Sequence, residues 1–294
     1  MTEHSFQLTD GRQLAYACFG PEHGRPVLYF HGTPSSRLEP AFPAVFGVPV
    51  QALLQEHNLK IISIDRPGAG CSGFHAKRTL DTFAADVHAL AQALHLPACP
   101  LLCWSGGGPY ALAMARYYPA VVNHVYIIAG FGSSFSEPEV YDKLGWNKVY
   151  FNTARRLPLV LKTALRLAPL IRLKSPIRQK LYDLSNADYA YLKNPRKLDL
   201  FLECTTKESC RHGAAGAVQE AQLYFRPFSF SLQQVQAPVD FWWGTEDNVV
   251  TYVHAKALEQ NLPHVTPHYK PGKGHVSVYI DCLEEILQTI AANY

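Results

Sequence analysis

Five short apolar runs, each ended by turn residues, alternate with stretches of helical period, and this alternation restricts the folds open to the chain. The runs are RPVLYFHG, LKIISIDRPG, ACPLLCWSG, VVNHVYIIAG and APVDFWWGTEDN. Runs of this length are typical of buried strands, and strands separated by helices pair in parallel, with the helices covering both sheet faces. The sequence therefore predicts an α/β fold with a mostly parallel central sheet and helices on both sides.

Other segments predict the helices and one hairpin. Apolar residues share one helical face in 80–94, 111–118 and 280–290, and Pro119 should end the second of these helices. The opening SFQLTDGRQLAYACFG predicts an antiparallel hairpin that turns at Asp10 and Gly11.

The alternation stops after Gly130 and returns only at APVDFWWG. The intervening sequence is helical in pattern and rich in Leu, Arg and Lys, with no clear buried strand. We therefore predict a core in two parts, 1–131 and 229–294, with a helical cap inserted at 132–228.

Composition limits the classes of function. The chain has 294 residues and a net charge of +3, too small to indicate a nucleic-acid partner. Its seven cysteines form no C-x-x-C pair and its first residues lack a leader pattern, so free thiols and a cytoplasmic location are expected. The histidines lack metal-ligand spacing, and GAGCSG at 68–73 opens no helix, so we expect neither a metal nor a dinucleotide cofactor.

One serine stands at a junction between a strand and a helix. In WSGGGPYALAMA, Ser105 follows an apolar run, and Gly106 and Gly107 clear the space beside it. A sharp strand-to-helix turn raises such a side chain above the sheet, where ligands bind in open α/β folds. Free amides at the helix N-terminus favour negative charge, so the amide of Gly106 is a candidate oxyanion donor.

A serine hydroxyl needs a base, and the base needs an acid to orient it. KPGKGHVS supplies His275 before the final helical segment, and GTEDNVV supplies Asp247, with Glu246 as the competing acid. The order Ser, Asp, His is the one expected for this layout. YFHGTPSS offers the amide of Thr33 as a second oxyanion donor.

Taken together, the blocks HGTPSSR, DRPGAGCS, WSGGGPYALAMA, RPFSFSLQQVQAPVDFWWGTEDNVV and KPGKGH resemble the α/β-hydrolase superfamily, and within it bacterial cofactor-free serine hydrolases of esterase type. The resemblance covers most of the chain. Two departures are Cys103, where the first glycine of G-x-S-x-G usually stands, and Thr251, where a proline often follows the acid turn. The roles implied are nucleophile, base and acid for Ser105, His275 and Asp247, backbone oxyanion donors for Thr33 and Gly106, and supporting roles for His31, Gly32 and Trp104.

The resemblance implies cleavage of a carboxylic ester or related acyl bond in a small, partly apolar substrate. Two alternatives stay open at this point. One is a cofactor-free haloperoxidase or perhydrolase that uses the same triad, and the other is a non-catalytic receptor of hydrolase fold that binds a small molecule.

The stretch 144–182 is strongly basic, with nine Lys or Arg and no Asp or Glu. One interpretation is a cap helix with a solvated basic face. The other is contact with an anionic surface, namely membrane lipid, an acidic substrate or a partner.

Overall fold

The apolar runs form strands of one central sheet. The computed structural model of the protein describes residues 1–145, 147–167 and 184–294. The strands in these ranges are β1 (Thr2–Gln7), β2 (Gln13–Phe19), β3 (Arg25–Phe30), β4 (Leu59–Ile64), β5 (Cys99–Trp104), β6 (Val122–Ile128), β7 (Val239–Gly244) and β8 (Val265–Lys270). They form an eight-stranded sheet in the order β1-β2-β4-β3-β5-β6-β7-β8.

The strand directions confirm the predicted α/β fold. From β4 to β8 along the sheet every pair is parallel, whereas β1–β2 and β2–β4 are antiparallel. The five apolar runs are β3 to β7, and the opening hairpin turns where expected, with Gly11 at a positive φ of 87°. The edge strand β8 was not predicted, because its residues VTPHYK are half-buried or exposed and lack an apolar run.

Helices cover both faces of the sheet. The helices outside the long segment between β6 and β7 are α1 (Phe42–Val45), α2 (Val50–Glu56), α3 (Leu80–Ala93), α4 (Gly108–Tyr117), α11 (Tyr252–Asn261) and α12 (Ser277–Ala292). Alternate residues of β5 enter opposite cores: Leu101 and Cys103 pack with α3, α4 and α11, and Leu102 and Trp104 with α2 and α12. Burial on both faces explains why the central strands are continuously apolar.

The secondary-structure elements described between β6 and β7 are all helices, joined by loops. This segment contains α5 (Pro138–Asp142), α6 (Asn147–Arg156), α7 (Pro158–Leu167), α8 (Asn186–Leu192), α9 (Pro195–Leu202), a π-helical stretch (Glu203–Lys207), α10 (Ala215–Leu223) and a 3₁₀ turn (Leu232–Gln234). The limits 132 and 228 of a separate cap stay a prediction. Of the basic stretch 144–182, Trp146 and residues 168–182 lie outside the described residues.

None of the helices in the described ranges combines the length and the apolar character that crossing a membrane requires.

Candidate active site

Ser105 lies on the sharp turn between β5 and α4, in a short 3₁₀ segment (Ser105–Gly107). Its φ is 52°, in the left-handed region that a residue with a Cβ rarely adopts. Side chains on the following residues would collide, since a Cβ at Gly106 would lie 2.2 Å from Thr33 Oγ1 and one at Gly107 2.3 Å from the Phe30 carbonyl oxygen. The glycines therefore permit the turn that presents the Ser105 hydroxyl.

Cys103 takes the position of the missing elbow glycine without disturbing the turn. It is fully buried, and a Cβ at Gly107 would lie 3.0 Å from the Cβ of Cys103, so the glycine provides the room for the cysteine. Burial raises the pKa of the Cys103 thiol far above its ordinary value. A thiol held protonated is a poor nucleophile, so the surroundings of Cys103 do not activate it.

Ser105, His275 and Asp247 form a continuous chain of hydrogen bonds. His275 Nε2 lies 3.0 Å from Ser105 Oγ, and His275 Nδ1 lies 2.9 Å from Asp247 Oδ2. The second carboxylate oxygen of Asp247 accepts hydrogen bonds from the amides of Val249 and Val250, each at 2.8 Å. These two amides fix the carboxylate toward the imidazole, and the side chains of all three residues are buried.

The competing acid, Glu246, does not join this chain. Its residue is exposed, and its backbone amide donates to the Lys273 carbonyl at 2.8 Å. The structure thus brings Asp247, and not its neighbour, to the histidine.

The charges around His275 favour its protonated form. Burial alone lowers the pKa of His275, but the charge and hydrogen bond of Asp247, with further contributions from Asp188 and Glu39, outweigh burial and raise the pKa above its ordinary value. Burial also raises the pKa of Asp247, an effect that His275 opposes. An imidazole of raised pKa is a stronger base, as proton removal from a serine requires.

Two backbone amides beside Ser105 are available to an oxyanion. A Cβ at Gly32 would lie 3.3 Å from Ser105 Cβ, which brings the Gly32–Thr33 loop against the serine. The amide of Gly32 is taken by the carboxylate of Glu39, at 3.0 and 2.9 Å. The amides of Thr33 and Gly106 have no hydrogen-bond acceptor in the described parts of the chain.

A buried polar cluster holds the Thr33 loop in place. Glu220, near the end of α10, accepts hydrogen bonds from Thr33 Oγ1 and pairs with Arg66, both at 2.5 Å. The Tyr224 hydroxyl lies 2.6 Å from Thr33 Oγ1 and donates to the Gly106 carbonyl at 2.9 Å. These contacts tie both candidate oxyanion donors to the same cluster.

His31 is part of this support and does not contact the serine hydroxyl. The Arg66 guanidinium donates to the carbonyls of His31 and Gly32, both at 2.5 Å. The His31 ring nitrogen Nδ1 lies within hydrogen-bond distance of the Gly32 carbonyl oxygen, at 2.9 Å. Burial, together with the charge of Arg66, lowers the pKa of His31 well below its ordinary value. A neutral imidazole in this position orients the loop.

Asp188 of α8 secures the turn that carries His275. Its carboxylate accepts hydrogen bonds from the amides of His275, Val276 and Ser277 at 2.8, 2.9 and 2.8 Å. These amides begin α12, where the helix dipole also favours a negative charge. Gly274 is required by this contact, because a Cβ there would lie 2.5 Å from Asp188 Oδ2.

Trp104 contacts the histidine from the sheet side. Its indole nitrogen donates to the His275 carbonyl at 3.2 Å, and the two ring centroids are 5.1 Å apart. Phe42, Phe201 and Tyr279 surround the indole, with Phe201 contributed by α9. An aromatic cluster therefore packs on the Trp104 side of His275.

Sequence reasoning missed Glu39, Arg66, Asp188, Glu220 and Tyr224. Each acts through a contact between distant segments, such as Asp188 with His275 or Glu220 with Thr33. Only Arg66 lies in one of the quoted blocks, DRPGAGCS, and no block indicates which distant segment any of the five residues contacts.

Comparison with known proteins identifies the family. A family model described as "alpha/beta hydrolase fold" matches residues 25–281. A curated relative, a non-heme chloroperoxidase of Streptomyces lividans, is 29% identical over 259 residues, 86% of each chain. Solved structures with the same fold include an esterase of Exiguobacterium antarcticum (18% identity, 98% of each chain, TM-score 0.67). Another is a bromoperoxidase of Bacillus anthracis (19% identity, 99% of this chain and 100% of that one, TM-score 0.72). The chain belongs to the α/β-hydrolase family.

Proposed function

We propose that this protein is a serine hydrolase that cleaves a carboxylic ester, or a related acyl bond, through an acyl-enzyme. The observation that carries the proposal is the hydrogen-bond chain from Ser105 Oγ through His275 to Asp247, with two backbone amides beside the serine. In this proposal Ser105 is the nucleophile, His275 the general base and Asp247 the acid that orients it.

The geometry supports a two-step reaction that needs no cofactor. His275 Nε2 takes the proton of Ser105 Oγ as the oxygen attacks the substrate carbonyl, and the oxyanion faces the amides of Thr33 and Gly106. The intermediate then collapses, and His275 returns the proton to the departing alcohol. Water, deprotonated by His275, attacks the acyl-enzyme, releases the carboxylic acid and restores Ser105.

The surroundings favour a small and partly apolar substrate. Aromatic rings of Phe42, Trp104 and Phe201 lie on the histidine side, and Phe131 and Phe135 pack around Tyr224 on the side of Gly106. An apolar substrate group packed next to these rings would gain affinity through apolar burial, while a few polar groups orient the reacting carbonyl.

A fluorophosphonate probe tests the proposal directly, because an activated serine displaces its fluoride and becomes phosphonylated. Intact-mass analysis should show one adduct on the wild type and none on Ser105→Ala, and a panel of esters of varied chain length should then be hydrolysed. An adduct that persists on Ser105→Ala would place the nucleophile elsewhere. No adduct on folded wild-type protein would favour the non-catalytic receptor.

A second candidate function is perhydrolysis leading to halogenation, favoured by the relatives named chloroperoxidase and bromoperoxidase. Hydrogen peroxide in place of water would release a peracid from the acyl-enzyme, and the peracid would oxidise halide as it is reduced to the acid. Halogenation that requires both Ser105 and a carboxylic-acid buffer would support this candidate. Ester hydrolysis with no halogenating activity would exclude this candidate and support the serine hydrolase.

A further inference from the structure

The hairpin formed by α6 and α7 has one face on the protein and one face in solvent. Ala154, Leu161 and Leu165 pack against Ala217 and Ala221, which belong to α10. This buried face anchors the hairpin. The opposite face contacts no other part of the described chain that would bury its apolar side chains.

The solvent face exposes large apolar side chains. Leu157, Leu159 and Val160, at the joint between α6 and α7, are 57%, 77% and 55% exposed, and Val149 and Leu167 are 55% and 47% exposed. Nine large hydrophobic residues are exposed in the described ranges, and these five are the majority. Scattered exposed leucines are ordinary, but a concentration on one element indicates a binding surface.

The same hairpin carries only positive charge. Its cations are Lys148, Arg155, Arg156, Lys162 and Arg166, and its two helices contain no Asp or Glu. Arg155 lies over the Phe225 ring at 4.2 Å, and Lys148 lies 3.6 Å from Asp142. Within the described parts of the chain, Arg156, Lys162 and Arg166 have no carboxylate partner.

We propose that the tip of this hairpin, residues 155–167, binds the surface of a membrane that contains anionic lipid. An amphipathic helical element with apolar and basic side chains on its free face places the former among acyl chains and the latter at headgroups. A second copy of this chain fits less well, because a two-fold interface would bring the same cations together. The proposal concerns where the protein binds and is independent of the chemistry of Ser105.

The test is co-sedimentation with phosphatidylcholine vesicles, with and without phosphatidylglycerol, at low and high salt. Wild-type protein and Ser105→Ala should bind equally, only to vesicles with phosphatidylglycerol, and less at high salt. Replacing three cations (Arg156→Gln, Lys162→Gln, Arg166→Gln) should lower partitioning about a hundredfold, at about fivefold per cation. The apolar variant (Leu157→Ser, Leu159→Ser, Val160→Ser) should also lose binding.

A matched control lies on α9, where Arg196 and Leu200 are exposed. The variant Arg196→Gln, Leu200→Ser removes a cation and a leucine from another helix between β6 and β7 and should bind like the wild type. Thermal unfolding checks that each variant is folded. Absence of wild-type binding at low salt overturns the proposal, as does unchanged binding of both tip variants. If the wild-type protein self-associates and the apolar variant does not, the surface binds a second copy of the chain and the membrane proposal is wrong.

Discussion

At the scale of single residues, the proposed role of Ser105 as the nucleophile depends on neighbours contributed by three separate loops. The turn holds its φ at 52°, His275 approaches its oxygen to 3.0 Å, and the loop of Thr33 supplies an amide without an acceptor in the described chain. Each neighbour acts on the same oxygen or on the carbonyl it would attack. Removing the hydroxyl should therefore abolish the chemistry and leave the fold.

Ser105→Ala should lower kcat for ester hydrolysis by on the order of 10⁴ to 10⁶. The thermal midpoint should stay close to that of the wild type, because alanine retains the Cβ of the turn. Cys103→Ala is the matched control, since it removes a buried thiol near the end of β5, two residues before Ser105, and should leave fluorophosphonate labelling of Ser105 intact. A loss of labelling in the control that equals that of Ser105→Ala would contradict the assignment.

The pH dependence should report the titration of His275. Only the neutral imidazole accepts the serine proton, and its pKa is raised above the ordinary value, about 6.5. Activity should therefore fall as the pH drops through a midpoint above about 6.5. Asp247→Asn removes the charge that raises this pKa, so it should shift the acid limb to lower pH and reduce kcat by roughly 10⁴. The profile of kcat/KM against pH for both proteins checks the sign, and an unshifted limb would mean that another group titrates.

At the scale of elements, the sequence was most informative where a strand is buried on both faces. The runs of β3 to β7 stand out because alternate residues enter two different cores, as Leu101 and Leu102 do. The edge strand β8 has no such apolar run, because its side chains are only partly buried. Its backbone pairing with β7 defines it as a strand. The turn glycines were predictable for a similar local reason, whereas α8 gave no sign that it contacts the active-site turn.

Asp188→Asn should weaken catalysis through the position and pKa of His275. The amide nitrogen of the new side chain cannot accept from one of the three backbone amides, and the negative charge that helps raise the pKa of His275 is lost. We expect kcat to fall about 10- to 100-fold and the acid limb of the pH profile to move to lower pH.

The exposed Asp199 on α9 provides the matched control, because Asp199→Asn removes the same charge away from the turn. A destabilised but otherwise normal enzyme would lose activity without a shift in the pH profile. That result would mean that Asp188 contributes to the stability of the fold and does not position His275 or raise its pKa.

At the scale of the whole molecule, the segment between β6 and β7 joins the rest of the chain through buried charge. The order of the sequence blocks was enough to predict that Ser105, Asp247 and His275 would be neighbours, and they are. It could not predict the ion pair of Arg66 and Glu220, because residues so far apart in the sequence form no motif with a recognisable spacing. This pair lies behind the proposed oxyanion loop, so stability and catalysis are coupled there.

Glu220→Gln should therefore destabilise the protein more than a surface substitution of the same kind. Arg66 and Glu220 are 0% and 2% exposed, and the glutamine would leave the guanidinium buried without this counter-charge. Breaking a buried pair in this way costs about 3–5 kcal/mol, which urea unfolding at neutral pH can measure.

Glu259→Gln breaks a partly exposed pair with Lys256 at the surface and should cost much less, because solvent screens it. Because Thr33 Oγ1 also binds Glu220, the folded fraction of Glu220→Gln should show reduced kcat. Equal stability of the two variants would mean that other groups compensate the charge of Arg66.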